Sequence, residues 1–296
     1  MKTFSIIVVC LFYMLDLKGQ INQTDDKIPL LIRCDDLGMC HDVNIAARSV
    51  LEKGFPVSMS VMVPCSWFPE AAEMLKEFKN VSVGVHLTLN SEWKQYKWGP
   101  VAGSLAVPTL VDTLGYFFHS RKALFDNDPD LNEIETELRA QINKAIRSGL
   151  KIDYLDYHMG AAMENLNTRA IVEKLAKEYD LAISRYYGEV DIAGAYSVPV
   201  ENKLETLYKN IATLNPGGIK LLVFHIGMDN PEMKAMEDLN KFGIKEMSRH
   251  RHSELGALVS EELQSLLNEN RFRLVNYKML NDEKGQQNMK RPDPQK

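Results

Sequence analysis

Four apolar runs in this chain stop on a side chain that can carry charge or bind a metal. Cys34 leads into Asp35 and Asp36, Val85 into His86, Tyr157 into His158 and Phe224 into His225. An apolar run of strand length, bounded by turn signals, reads as a strand buried on both faces of an α/β sheet. In such sheets ligands and metals gather just beyond the carboxyl ends of the strands. Runs that end alike therefore bring residues far apart in sequence to one face.

The same alternation runs along the chain. Strands are expected at residues 30–34, 57–63, 81–89, 151–157, 181–184, 219–224 and 273–277. Between them lie helical patterns: Val43, Ala46, Ala47 and Val50 share one face, as do Ala71, Met74, Leu75 and Phe78. Residues 131–148 read as a helix stopped by Gly149, and 168–179, 200–214, 232–243 and 253–268 also read as helical. Residues 185–200 look irregular. The expected fold is α/β: a TIM-like (β/α) barrel of seven parallel strands, with a capping loop insertion after the third strand. That insertion, residues 91–129, carries Trp93, Tyr96, Trp98, Tyr116, Phe117 and Phe118 without a clear period. Its aromatics either face a sugar ring or form a satellite core under the loop, and the sequence favours neither.

Residues 1–20 differ in kind. Lys2 precedes an almost wholly apolar stretch at 4–14, and charge returns before Gly19, the pattern of a secretory signal peptide. The expected organisation is a removed signal over 1–20, one domain over 21–281 and a disordered polar tail over 282–296, in a periplasmic or secreted protein. Cys34, Cys40 and Cys65 then remain, an odd number that gives no disulfide framework. The net charge of -5 excludes a broad nucleic-acid surface, which needs a basic face. A small carbohydrate is the expected partner, with no membrane contact after signal removal and a homodimer left open.

Asp35 and Asp36 repel each other if the site closes, and a cation removes that penalty. One of them alone reads equally well as a helix N-cap. One carboxylate with two neutral imidazoles and an open position is a ligand set for a catalytic divalent metal, Zn²⁺ or a harder ion such as Mg²⁺. Three of the chain's seven histidines stand at strand ends; His41, His119, His250 and His252 do not and receive no ligand role.

These residues resemble the carbohydrate deacetylase family that includes chitooligosaccharide and hopanoid-biosynthesis deacetylases, the YdjC-like group. The resemblance runs from Leu30 to about Tyr277. Asp35-Asp36-Leu37-Gly38 with Asn44 matches the opening DDxG and its trailing Asn, and Gly84-Val85-His86-Leu87-Thr88-Leu89 matches the GxHLxL segment. Residues 57–64, 107–112 and the late Arg251 with Glu254-Leu255 are similar to further family segments, Arg249 being the other choice of Arg. The resemblance implies removal of an N-acetyl group from an amino sugar on a barrel that holds a divalent cation. By position, Asp36, His86 and His158 hold the metal, Asp35 is the general base, and His225 is the acid or an oxyanion-side group. Trp93, Trp98, Phe117 and Arg251 are the expected substrate contacts. The chain departs from the family by lacking a second His after His158 and by having Ile226 where Pro is common. The rival readings are a metal-dependent esterase or phosphoesterase on the same scaffold and a non-catalytic sugar-binding barrel. Adjacent carboxylates suit a glycosidase poorly, because that chemistry needs two acids on opposite sides of a bond.

Overall fold

A computed structural model of the protein describes residues 27–292. Its central strand, β1 (Ile28–Leu37), is buried at every position except Pro29, as expected of an apolar run packed on both faces. Seven more strands follow: β2 (Val57–Val61), β3 (Val81–Leu87), β4 (Tyr154–Tyr157), β5 (Ala182–Ile183), β6 (Glu189–Asp191), β7 (Ile219–Phe224) and β8 (Phe272–Val275). All pair in parallel in the order β5-β4-β3-β2-β1-β7-β6, with β8 off this path against the start of β1. The sheet curls into a barrel left open between β5 and β6, with no ladder joining them among the described residues.

The path has the expected seven strands, but not the expected set. β6 lies in the stretch read as irregular, because three residues with Val190 exposed carry no apolar pattern; pairing with β7 defines it. β8, counted as a barrel strand from sequence, sits beside residues 28–31 instead. The expected helix over 232–243 is helical only at Pro231–Lys234. Its apolar spacing comes from Met233 and Met236, which are buried, while the rest is a loop tied to the insertion by Leu239 N–H donating to Glu92 O and Lys94 N–H to Glu237 O. The helix expected at 253–268 is two, Met247–Val259 and Glu261–Leu267, broken where the Ser260 hydroxyl caps the second.

The tail needs a similar correction. Residues 282–292 are not a free polar end: helix Tyr277–Lys284 and a 3-10 turn Gln286–Asn288 pack beside β5. The polar side chains are the reason, since Gln286 Nε2 donates to the carbonyls of Ala176 and Leu181 and so closes a helix end. The expected signal peptide and residues 293–296 lie outside the described residues. No helix among the described residues is long and apolar enough to cross a membrane.

The insertion is stitched to the barrel from one helix, Leu131–Arg147. Glu137, fully buried, accepts the N–H groups of Val101 (2.9 Å) and Ala102 (2.8 Å). One turn on, Gln141 bonds both the N–H and the C=O of Thr88, two residues past His86. Burial pushes the Glu137 carboxyl from 4.5 up to about 7, against the lowering effect of those N–H donors. Between those values the folded chain binds a proton that the unfolded chain releases, so this group's contribution to stability falls as pH rises through that window. The shift corresponds to about 3 kcal/mol at most. Glu137→Gln is expected to flatten that part of the pH dependence, measured by urea unfolding between pH 4.5 and 7.5.

Candidate active site

Neighbouring side chains in a regular strand point to opposite faces, so Asp35 and Asp36 cannot share a site without a local distortion. β1 provides one: its register with β2 shifts between Cys34 and Leu37, and Asp36 sits at φ 70°. Asp tolerates this left-handed region better than most residues. Gly38 follows at φ 84°, and a Cβ there would lie 2.8 Å from the Phe68 Cα, so this position requires glycine. Asn44 Oδ1 accepts the Gly38 N–H at 2.8 Å and fixes the turn. Both acids now face one cleft of about 700 Å³ at the carboxyl ends of the strands.

Asp36 is the centre of that cleft. Its Oδ2 accepts a 2.6 Å hydrogen bond from Arg251 Nη2, while its buried Oδ1 has no hydrogen-bond partner. Two imidazole nitrogens approach this free oxygen, His86 Nε2 at 3.4 Å and His158 Nδ1 at 3.3 Å. Each ring has a carboxylate behind it: Asp156 Oδ2 lies 2.9 Å from His86 Nδ1, and Glu92 Oε2 is 2.9 Å from His158 Nε2. A carboxylate in that position orients a metal-binding imidazole and fixes its tautomer. Asp36, His86 and His158 lie close enough together to hold one ion.

A second group, Asp35, His86 and Asp156, is also close enough. It already has a cation. Arg33 Nε and Nη2 bond the two Asp35 oxygens at 2.6 and 2.7 Å, Nε lies 3.2 Å from Asp156, and Nη1 donates to Ser184 Oγ. Of the two groups, the first is therefore the one with no cation already seated in it.

Charge favours the same assignment. Asp35, Asp36, Asp156 and Glu92 are all buried, so four carboxyl groups share the site with two guanidiniums, Arg33 and Arg251. Burial would depress the imidazoles, but the carboxylates outweigh it: Asp156 and Asp35 raise His86 to about 10, and Glu92 and Asp36 raise His158 to about 9. The same surplus of carboxyl groups that raises both imidazoles would favour a divalent cation between them, and the donor set fits such an ion. Burial pushes both aspartates up, yet each ends below the usual carboxylate range. Arg33 and His86 hold Asp35 down; Arg251, His158 and His86 hold Asp36 well down.

His225 lines the cleft with its Nδ1 buried and unpartnered, and burial lowers its pKa, so the ring is neutral near pH 7. Tyr196 lies edge-on to it, ring centroids 5.0 Å apart.

The expected substrate contacts divide. Trp93 borders the cleft but is 1% exposed, its Nε1 donating to Met39 Sδ. Trp98 and Phe117 do not line the cleft. Both are buried in the main hydrophobic core, which continues from the barrel into the insertion; the Trp98 Nε1 donates to Asn90 O and the ring stands edge-on to His158. Arg251 lines the cleft, but its nearest task is to hold Asp36. Where a second His is missing, Gly160 has φ 76° and Arg121 Nη1 lies 3.1 Å from the place of a Cβ.

Arg33, Asp156 and Glu92 were not singled out from sequence. For two of them a signal existed: Arg33 stands two residues before Asp35 and Asp156 two before His158, so each pair shares a strand face. His86 and Asp156 are also register partners across β3 and β4. Glu92 reaches His158 from a loop, and no periodicity marks it.

Comparison with known proteins adds to this geometry. The family described as YdjC-like protein matches residues 29–269. A carbohydrate deacetylase of Thermus thermophilus is 30% identical over 233 residues, 71% of this chain and 81% of that protein. A carbohydrate deacetylase of Enterococcus faecalis is 28% identical over 185 residues, 62% of this chain and 65% of its own length, just under two thirds. A solved Enterococcus faecalis structure named for cellobiose-phosphate cleavage superposes with a TM-score of 0.69 at 23% identity, covering 86% of this chain and 99% of that one. At that identity the likeness shows the fold alone.

Proposed function

The chain belongs to the YdjC-like family, and on that premise we propose that it is a metal-dependent hydrolase that removes the N-acetyl group from an amino sugar or a short N-acetylated oligosaccharide. The observation that carries this reading is the free Oδ1 of buried Asp36, flanked by one nitrogen from each of His86 and His158. The names of the curated relatives supply the substrate class. The stretch at residues 4–14 supports action in the periplasm or outside the cell.

Asp36, His86 and His158 would hold the ion, Zn²⁺ or Mg²⁺. Such a cation polarises an amide carbonyl and makes water a stronger acid. The residues of the chain do the rest. Asp35, ionised and fixed by Arg33, takes a proton from the attacking water while the oxygen adds to the acetyl carbon. The C–N bond then breaks, and the nitrogen must leave with a proton, because an amide anion is a poor leaving group. His225, neutral near pH 7, first takes up a proton from solvent through the cleft and gives it to the departing nitrogen, while Asp35 returns the water's proton to solvent. Acetate and the free amine are the products, and no protein nucleophile takes part.

The test is acetate release across a panel of N-acetylated mono- and oligosaccharides, with and without chelator. Release that stops on chelation and returns with added Zn²⁺ or Mg²⁺ is the expected result. No acetate from any member, or undiminished release from protein stripped of metal, would overturn the reading.

A further inference from the structure

Lys203 has no exposed surface. A buried ammonium is tolerated only when its three N–H groups find acceptors. Here they do: the carbonyls of Ala195 and Tyr196, the latter at 2.9 Å, and Glu254 Oε1 at 3.2 Å. Glu254 is 2% exposed, and its other oxygen accepts the backbone N–H of His225 at 2.9 Å. A cation opening helix Lys203–Ala212 and an anion on helix Met247–Val259 thereby join two separate stretches, 195–196 and the end of β7. Both stretches present a ring to the cleft, Tyr196 and His225, stacked edge to face. The same helix sends Arg251, one turn before Glu254, to Asp36.

Replacing a buried ion pair by an apolar pair of similar volume is often neutral or stabilising, so cohesion is a weak reason for keeping one. We propose that Lys203 and Glu254 are positioning residues: they set the placement of His225 and Tyr196 on the side of the cleft from which the amine departs. The proposal rests on the deacetylase reading for the role of His225, but the tie itself does not.

The test uses Lys203→Met and Glu254→Gln in the full chain, with three readouts. Acetate release is expected to lose about 10- to 100-fold in kcat with KM nearly unchanged, the cost of a misplaced group. Zinc affinity is expected to stay at the wild-type value, because neither residue touches Asp36, His86 or His158. Amide hydrogen exchange is expected to quicken at His225 and residues 195–198, and not at His86 or His158. Wild-type kcat in the folded variants would overturn the proposal. So would exchange that quickens evenly across the barrel, which marks a merely structural role. If Lys203→Met does not fold, Glu254→Gln decides, since it keeps the volume and removes the charge. If wild-type protein releases no acetate from any substrate, the deacetylase reading fails, and the exchange pattern still decides the tie.

Discussion

His158→Ala is expected to lose the divalent ion and, with it, acetate release by on the order of 10³-fold or more. The imidazole supplies one of two nitrogens facing Asp36 Oδ1, and two ligands hold a catalytic ion much less well than three. The loss should be graded along the contact chain. Glu92→Gln keeps the shape of the group behind His158 but not its charge, and should weaken metal affinity by about 10- to 100-fold. Metal titration of the stripped proteins, followed by acetate assays at saturating ion, separates the two effects. Restored turnover of Glu92→Gln at high metal, with none for His158→Ala, is the expected pattern; equal behaviour of the two would sink the distinction.

Asp35→Asn should give the opposite signature. Asp35 makes its bonds to Arg33 and contributes no oxygen to the group around Asp36, so the ion should bind as in the wild type. Turnover should fall by about 10²- to 10⁴-fold, the usual contribution of a positioned base. The variant leaves Arg33 with a neutral partner while Asp156 stays 3.2 Å away, so folding should survive at reduced stability. Normal acetate release from Asp35→Asn would remove it from the role of base.

The parts of this site that could be read in the sequence are those carried by strand ends. Cys34, Val85, Tyr157 and Phe224 each close an apolar run, and parallel pairing brings the residues after them to one rim. Asp36, His86 and His158 meet there because of that topology, together with the register shift in β1 that brings Asp36 to the cleft. What the sequence did not show depends on contacts without a local period. β6 is defined by its partner β7 and not by its own three residues. Glu92 and Lys203 act across 66 and 51 residues respectively, and only the folded chain shows that they are paired. Trp98 and Phe117 looked like sugar platforms because aromatic loops over polar sites often are. Here the insertion packs onto the core of the barrel, and those two rings are buried in that shared core. Arg33 was legible in principle: an arginine inside an apolar strand, in step with Asp35, has to find a carboxylate.

The central claim, that one ion sits among Asp36, His86 and His158, is tested most directly by zinc-edge anomalous diffraction from zinc-loaded crystals. The account predicts a single peak bound by Asp36 Oδ1, His86 Nε2 and His158 Nδ1, with Arg33 still seated between Asp35 and Asp156. No peak in the cleft, or a peak between Asp35 and Asp156 with Arg33 displaced, would contradict it.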